Sequence, residues 1–520
     1  MQSVYSWADF EKEAQNKSVL LYGTGAGIVD FCVKYEDRFP IAGVVDGSPD
    51  KQGWLLGDLS AGLYQTWLGE LRVEAPDFLD VCFAADTVVL IASLNRADEI
   101  IDVLESKGYD KYFVISKFKD YRVEDIDFQT IITAGKSYAK QCIELPIEKK
   151  KIIFHSYQDY ADHEKYISEA LTGIRTDLDV VWLIGFPGAY LPDHVRGVLK
   201  GNWKKVIHEM ETAAIWVSDL DLPEYLIKRE GQTYIQTKHW ASLTLKRFYF
   251  DTATFQKEPQ LLSIWEREKK IIDYIVVGSE FDRESCRRGF QVDSFIMAGS
   301  PRTDAMFCEE KNKKRVYSHY HIDQGLHMLL YAPTYRFDKE RGKSYEAPGD
   351  IGFAYAEVRA ALEKRFGGKW VIALRLHPAV ANALEGAELP EFVMDMSHYD
   401  DSEELVSAAN ITVSDFSSIM FEPAFVKKPV FLFAKDKESY IQNEYDLLIE
   451  YETLPFAIAQ TSEQLCDNIL SYDEEAYRKR VDEFLEQYGV HEDGRASERV
   501  AGFIAELIGE EKEENGNQGY

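Results

Sequence analysis

Short apolar runs recurring between amphipathic stretches constrain this chain more than any other feature. Residues 18–22, 41–45, 87–92 and 111–115 each read as a strand bounded by turn residues, and 98–107 reads as a helix. The alternation restarts at 151–154 and continues through apolar runs at 180–184, 234–237, 274–277 and 294–297. A further series follows at 327–331, 370–374 and 411–413. Strands alternating with helices imply parallel sheets, so the fold class expected is α/β. The spacing suggests two Rossmann-like halves in series, preceded by a small Rossmann-like domain. Two such halves form the GT-B plan, whose cleft holds a nucleotide diphosphate donor.

With 520 residues the chain exceeds a single core. The expected division is a Rossmann-like module at 1–118, a helical connector at 119–150, halves at 151–308 and 309–509, and a frayed, charged tail at 510–520. Hydrophobic residues at 45% and aromatics at 13% supply apolar surface for folding throughout. A formal net charge of −30 disfavours nucleic acid as a partner, because the surface repels phosphate backbones. An anionic substrate would need a local group of cations and backbone N–H donors.

The six cysteines form no CxxC pair, which fits free thiols in a reducing compartment. The first residues carry Asp9 and Glu11 and have no basic n-region or long apolar run, so no secretory signal is expected there. The uncharged stretch 180–192 is interrupted by Gly185, Pro187 and Gly188 and falls short of the ~18 residues of a spanning helix. A soluble, cytoplasmic protein is expected, at most peripheral on the inner face of the cell membrane. No metal cluster is expected, since His319 and His321 lack a carboxylate pair at ligand spacing.

Several segments carry chemistry. Gly23, Gly25 and Gly27 follow the first strand, and Asp46 ends the second, as in a dinucleotide fingerprint with imperfect spacing. The turn is either a relic or a ligand site. Farther on, the 411–413 strand delivers Asp415, Ser417 and Ser418 to a sharp turn before a helix expected at 419–426. Those hydroxyls suit either a phosphate at a helix N-terminus or ordinary N-capping. Arg375, His377 and Pro378 follow the 370–374 strand, and Thr334 and Arg336 follow the 327–331 strand. An Arg at such a place either grips phosphate oxygens or caps a turn. His239 lies in the segment YIQTKHWASLTLK after the 234–237 strand, and Arg302 in GSPRTD.

Taken in order, these elements resemble the CDP-glycerol glycerophosphotransferases, the family that builds teichoic-acid-type polyol phosphate polymers. SDFSS resembles the family's TDYSS, RLHP its RxHP, APTYR its APTxR, QTKHW its QTWHG and GSPRTD its GxPRxD. Lys238 stands where the family often has Trp, and Trp240 and Ala241 follow where it has Gly.

The resemblance implies that His239 is the general base for the acceptor hydroxyl. It implies that His377 contacts donor phosphate, by hydrogen bonding or as the imidazolium. Ser417 and Ser418 would hold the pyrophosphate, with Asp415 at the same turn; Thr334, Arg336 and Arg375 would add donor contacts, and Glu422 would take ribose or polyol hydroxyls. Arg302 would fix the junction of the halves or face the donor. The implied reaction is attack on the β-phosphorus of a CDP-polyol, most simply CDP-glycerol, with release of CMP. It implies no cofactor and no metal, and a polymer or lipid-linked glycan acceptor. Rival readings are a GT-B glycosyltransferase using a nucleotide sugar and a non-catalytic glycan-binding scaffold.

Overall fold

The computed structural model describes residues 6–24, 28, 38–56, 71–92, 97–115, 118, 128–185, 191–200, 202–247, 259–334, 336–338, 343–345, 353–377, 389–443 and 447–509. Gly25, Gly27, Pro378 and the 510–520 tail lie outside the described residues. The chain divides into two compact units. One comprises Met1–Ile153, Asp179–Ala214 and Pro223–Gln232; the other comprises Phe154–Leu178, Ile215–Leu222 and Thr233–Tyr520.

In the first unit, Ser18–Tyr22 forms the centre of a five-stranded parallel sheet. Its spatial order is Val73–Glu74, Ile41–Val45, Ser18–Tyr22, Thr87–Ile91, Tyr112–Val114. In chain order this is 3-2-1-4-5, the winding of a nucleotide-binding Rossmann sheet. Alternate residues serve two cores. Val19, Leu21, Val88 and Leu90 pack with Trp7, Phe10 and Phe118, whereas Leu20, Tyr22, Val89 and Ile91 pack with Leu104 and Tyr109. A sheet covered on both faces explains why these strands read as unbroken apolar runs. A Cβ at Gly43 would stand 2.6 Å from the Phe78 ring, so that ring would have to shift to admit any larger residue.

The helix Trp7–Ala14, not anticipated from the sequence, opens on a capping box between Ser6 and Asp9. Asp46 ties its own loop to the glycine turn: Oδ2 accepts from the Thr24 amide and hydroxyl, and Oδ1 from the Ser48 amide. The 119–150 stretch contains the helix Phe128–Cys142 and is more than a spacer. That helix packs on the helix Trp203–Thr212, and a Cβ at Gly135 would meet Tyr225 at 2.8 Å.

In the second unit, residues 215–218 pair in parallel with Thr233–Gln236, which pairs with Tyr274–Val277, which pairs with Phe295–Met297. A separate six-stranded parallel sheet runs Val393–Asp395, Trp370–Leu374, His327–Tyr331, Ile411–Ser414, Val430–Phe433, Ala457–Ala459. In chain order this is 3-2-1-4-5-6. The winding reverses between His327–Tyr331 and Ile411–Ser414, and ligands of such sheets bind beyond the carboxyl ends at that point.

The C-terminal helix Ala496–Ile508 packs on the helix Asp162–Ile174. Its first amides, Ala496 and Ser497, donate to Asp304 at 3.0 and 2.8 Å. Among the described residues no helix is long and apolar enough to cross a membrane.

Candidate active site

Both loops at the reversal point are tied together. Asp415 Oδ1 accepts from the Thr334 amide at 2.8 Å and from the Phe416 amide, while the Ser414 hydroxyl donates to the Ala332 carbonyl at 2.8 Å. Phe416 stacks on Tyr440 with ring centroids 3.9 Å apart. Asp415 therefore shapes the turn that presents Ser417 and Ser418. The Ser417 hydroxyl caps the next turn by accepting from the Ile419 amide. Ser418 Oγ accepts from the Leu245 amide at 3.3 Å and lies 3.4 Å from Thr244 Oγ1.

The helix expected at 419–426 is instead a 3-10 turn, Ser418–Met420, followed by the short α-helix Phe421–Phe425. Pro423 brings no N–H, and Lys427 enters the left-handed region at φ 62°, so the helix ends there. Arg336 starts the strand Arg336–Asp338, which pairs antiparallel with Lys343–Tyr345.

Three expected donor contacts are turned into the protein instead. Arg375 is buried, with Nη1 donating to the carbonyls of Met396, Ser397 and Tyr399 in the turn that follows the neighbouring strand Val393–Asp395. Glu422 is buried 3.0 Å from Arg302. Arg302 is itself buried among Asp162 at 2.8 Å, Glu403 and Glu422. A buried guanidinium demands such compensation. Burial alone would favour its loss of charge, but the surrounding carboxylates hold its pKa well above the ordinary value. Burial also pushes Glu422 up to about 7, with Arg302 opposing.

His239 follows the strand Thr233–Gln236 in a loop that its neighbours hold rigidly. Lys238 takes φ 59°, and its amide donates to Gln236 Oε1 at 2.7 Å. The Lys238 ammonium is buried 3.0 Å from Asp282, whose other oxygen accepts from the Trp240 indole at 3.1 Å. Two of the three residues that depart from the family pattern, Lys238 and Trp240, thus share one buried carboxylate.

The His239 ring stays exposed and meets Trp240 edge-on. The protein crowded around it lowers its pKa; Asp162 opposes this, and the Arg302, Lys246 and Lys238 cations reinforce it. His377, half-buried at the end of its strand, is lowered to about 4 by burial, then by Lys246, Arg375 and His239. Both imidazoles are thus shifted toward the neutral form, and Lys246 acts on both.

Sequence reasoning missed Asp162, His163, Glu403 and Asp282, all buried. A charged start to a helix looks the same in sequence whether solvent or a distant cation faces it. Among the described residues no group of three or more His, Cys, Asp or Glu is arranged to hold a metal ion.

Parallel Rossmann sheets with polar loops at the carboxyl ends of their strands fit the GT-B fold. A solved structure of the wall teichoic acid polymerase TagF has this fold, with a TM-score of 0.63 at 24% identity over 73% of this chain and 95% of that one. Residues 137–506 match the family described as CDP-glycerol:poly(glycerophosphate) glycerophosphotransferase, and the chain belongs to that family.

A teichoic acid poly(glycerol phosphate) polymerase of Staphylococcus epidermidis is 27% identical over 467 residues, 86% of this chain and 62% of that protein. The chain thus spans less than two thirds of that relative's length. A polymerase of the same description from Bacillus spizizenii is 27% identical over 70% of this chain and 93% of its own. A teichoic acid poly(ribitol-phosphate) polymerase of Bacillus spizizenii is also 27% identical, over 68% of this chain.

Proposed function

We propose that this chain transfers a polyol phosphate from a CDP-polyol, CDP-glycerol in the first instance, to a hydroxyl of a teichoic-acid-like or capsular polymer and releases CMP. The observation that carries the reading is that His239 and His377 share Lys246 as a neighbouring cation, with both imidazoles shifted toward the neutral form. An exposed, neutral His239 is ready to accept a proton at neutral pH.

In the step proposed, the acceptor oxygen attacks the β-phosphorus while its proton passes to the His239 imidazole. The bond from that phosphorus to the bridging oxygen breaks, and the electron pair leaves with CMP. Neutral His377 serves as a hydrogen-bond donor to phosphate oxygen, not as an imidazolium. Ser417, Ser418, Thr334 and Arg336 contact the pyrophosphate, and Lys246 adds a cation where charge builds. No cofactor is assigned a role.

The same reading keeps the three-part division at 1–118, 151–308 and 309–509, with a peripheral position on the inner membrane face beside a lipid-linked acceptor. Relatives of equal identity in the glycerol and ribitol classes leave the polyol to experiment. Incubation with CDP-glycerol, CDP-ribitol and a UDP-sugar, with products read by mass spectrometry, tests the proposal. CMP release with growth of the acceptor by one polyol phosphate is the expected result. UDP release alone would establish the glycosyltransferase reading, and no turnover with any donor the scaffold reading.

A further inference from the structure

The buried polar groups around Arg302 are too well connected to the His239 loop to be a hinge lock alone. Arg302 Nη1 reaches the His239 carbonyl at 3.3 Å, and Nη2 of the same guanidinium lies 3.0 Å from Glu422, on the helix directly after the Ser417–Ser418 turn. The backbone N–H of Arg302 meets His163 Nδ1 at 3.4 Å, and His163 Nε2 meets the Trp240 carbonyl at 3.1 Å. A ring nitrogen facing an N–H must accept, and one facing a carbonyl must donate. The neutral tautomer protonated on Nε2 is the form of His163 that satisfies both contacts.

Burial and the Lys238 and Arg302 cations hold His163 well below the usual imidazole pKa, in keeping with that form. Successive carbonyls, those of His239 and Trp240, are therefore fixed by two different side chains. The Ser418 hydroxyl, which accepts from the Leu245 amide, binds the same segment to the serine turn a second time.

We infer that Arg302 and His163 are positioning residues for His239, Arg302 joining the His239 carbonyl to Glu422 and His163 joining the Trp240 carbonyl to the Arg302 backbone. The inference rests on the reading of His239 as the base. Its consequence is that the orientation of the base depends on side chains that touch neither donor nor acceptor. A base displaced by about 1 Å loses on the order of 10²-fold in rate, whereas donor binding has no such dependence on it.

The test uses the full chain with three substitutions. His163→Leu removes both hydrogen bonds and should lower kcat by ~30-fold or more, with donor KM and CDP affinity by calorimetry within about twofold. His163→Gln supplies an N–H near the Nε2 position and should recover ~10-fold of that loss. Arg302→Lys keeps a charge among the carboxylates, but one ammonium cannot span Glu422 and the His239 carbonyl. It should lower kcat without weakening CDP binding.

A readout free of turnover accompanies these: the rate at which diethyl pyrocarbonate modifies His239, followed by mass spectrometry of its peptide. That rate should change by ~3-fold or more in His163→Leu and return in His163→Gln. If modification changes while kcat does not, the positioning inference stands and the base reading fails. If His163→Gln is as impaired as His163→Leu, or CDP affinity falls in step with kcat, the inference is overturned. A folded His163→Leu protein with wild-type modification and turnover overturns it as well.

Discussion

Replacing His239 with Gln separates chemistry from scaffold more cleanly than any other change in this protein. The loop is held by main-chain groups, namely the His239 carbonyl on Arg302 and the Trp240 carbonyl on His163 and Lys238, and these remain when the exposed imidazole is removed. Stability should therefore change by no more than ~0.5 kcal/mol, the range of ordinary surface substitutions. Loss of a general base should lower kcat by ~10² to 10⁴-fold, which at about 1.36 kcal/mol per decade is roughly 2.7 to 5.4 kcal/mol of transition-state stabilisation.

The assay is CMP release from CDP-glycerol at saturating donor, beside calorimetric titration of CDP and a thermal melt. Because the neutral imidazole is the active form and its pKa is lowered by crowding, the wild-type rate should hold through pH 7 and fall on acidification only below the usual imidazole range. Residual turnover within a few-fold of wild type, or an equal loss in CDP affinity, would refute the reasoning.

Converting both Ser417 and Ser418 to Ala should weaken CDP relative to cytidine by ~1.5 to 3 kcal/mol for each hydrogen bond to phosphate that is removed, as measured by calorimetry with both ligands. Equal weakening would mean that the turn positions the nucleoside as well. Lys238→Met leaves Asp282 buried without its cation and should cost ~3 to 5 kcal/mol in urea unfolding, whereas a surface lysine would cost almost nothing. Burial raises Glu268 to about 8, against an ordinary value of 4.5, so its contribution to stability is full below about pH 4.5 and is lost as pH rises toward 8. Glu268→Gln should flatten the decline in unfolding free energy between pH 5 and 8; an unchanged slope would assign that decline to other groups. Removing residues 1–118 while keeping the helix Phe128–Cys142 should leave a chain that melts cooperatively and releases CMP, and a folded but inactive product would make the N-terminal module part of the site.

Strands such as His327–Tyr331 and Trp370–Leu374 were legible because a parallel strand buried on both faces reads as a near-continuous apolar run. Val393–Asp395 and Ala457–Ala459 were not read as strands. The loops after those strands were legible as places for chemistry, because sheet winding assigns ligands there whatever the loop contains. What escaped the sequence was the inward turn of Arg302, Arg375 and Glu422. Arg302 finds Asp162 140 residues away, and no local pattern marks a charge that will be buried against so distant a partner. His163 was hidden for the same reason, as one polar residue in a run that looks solvated.

Lys238 combines two demands that most residues cannot meet together. Its backbone is left-handed, a conformation that favours glycine, and its ammonium neutralises Asp282 in the interior. Glycine would relieve the backbone but abandon the carboxylate, and a change at Asp282 alone would strand the lysine. In descendants of this chain the two positions can therefore drift only as a pair, with Trp240 as the third party to the exchange because its indole also donates to that carboxylate.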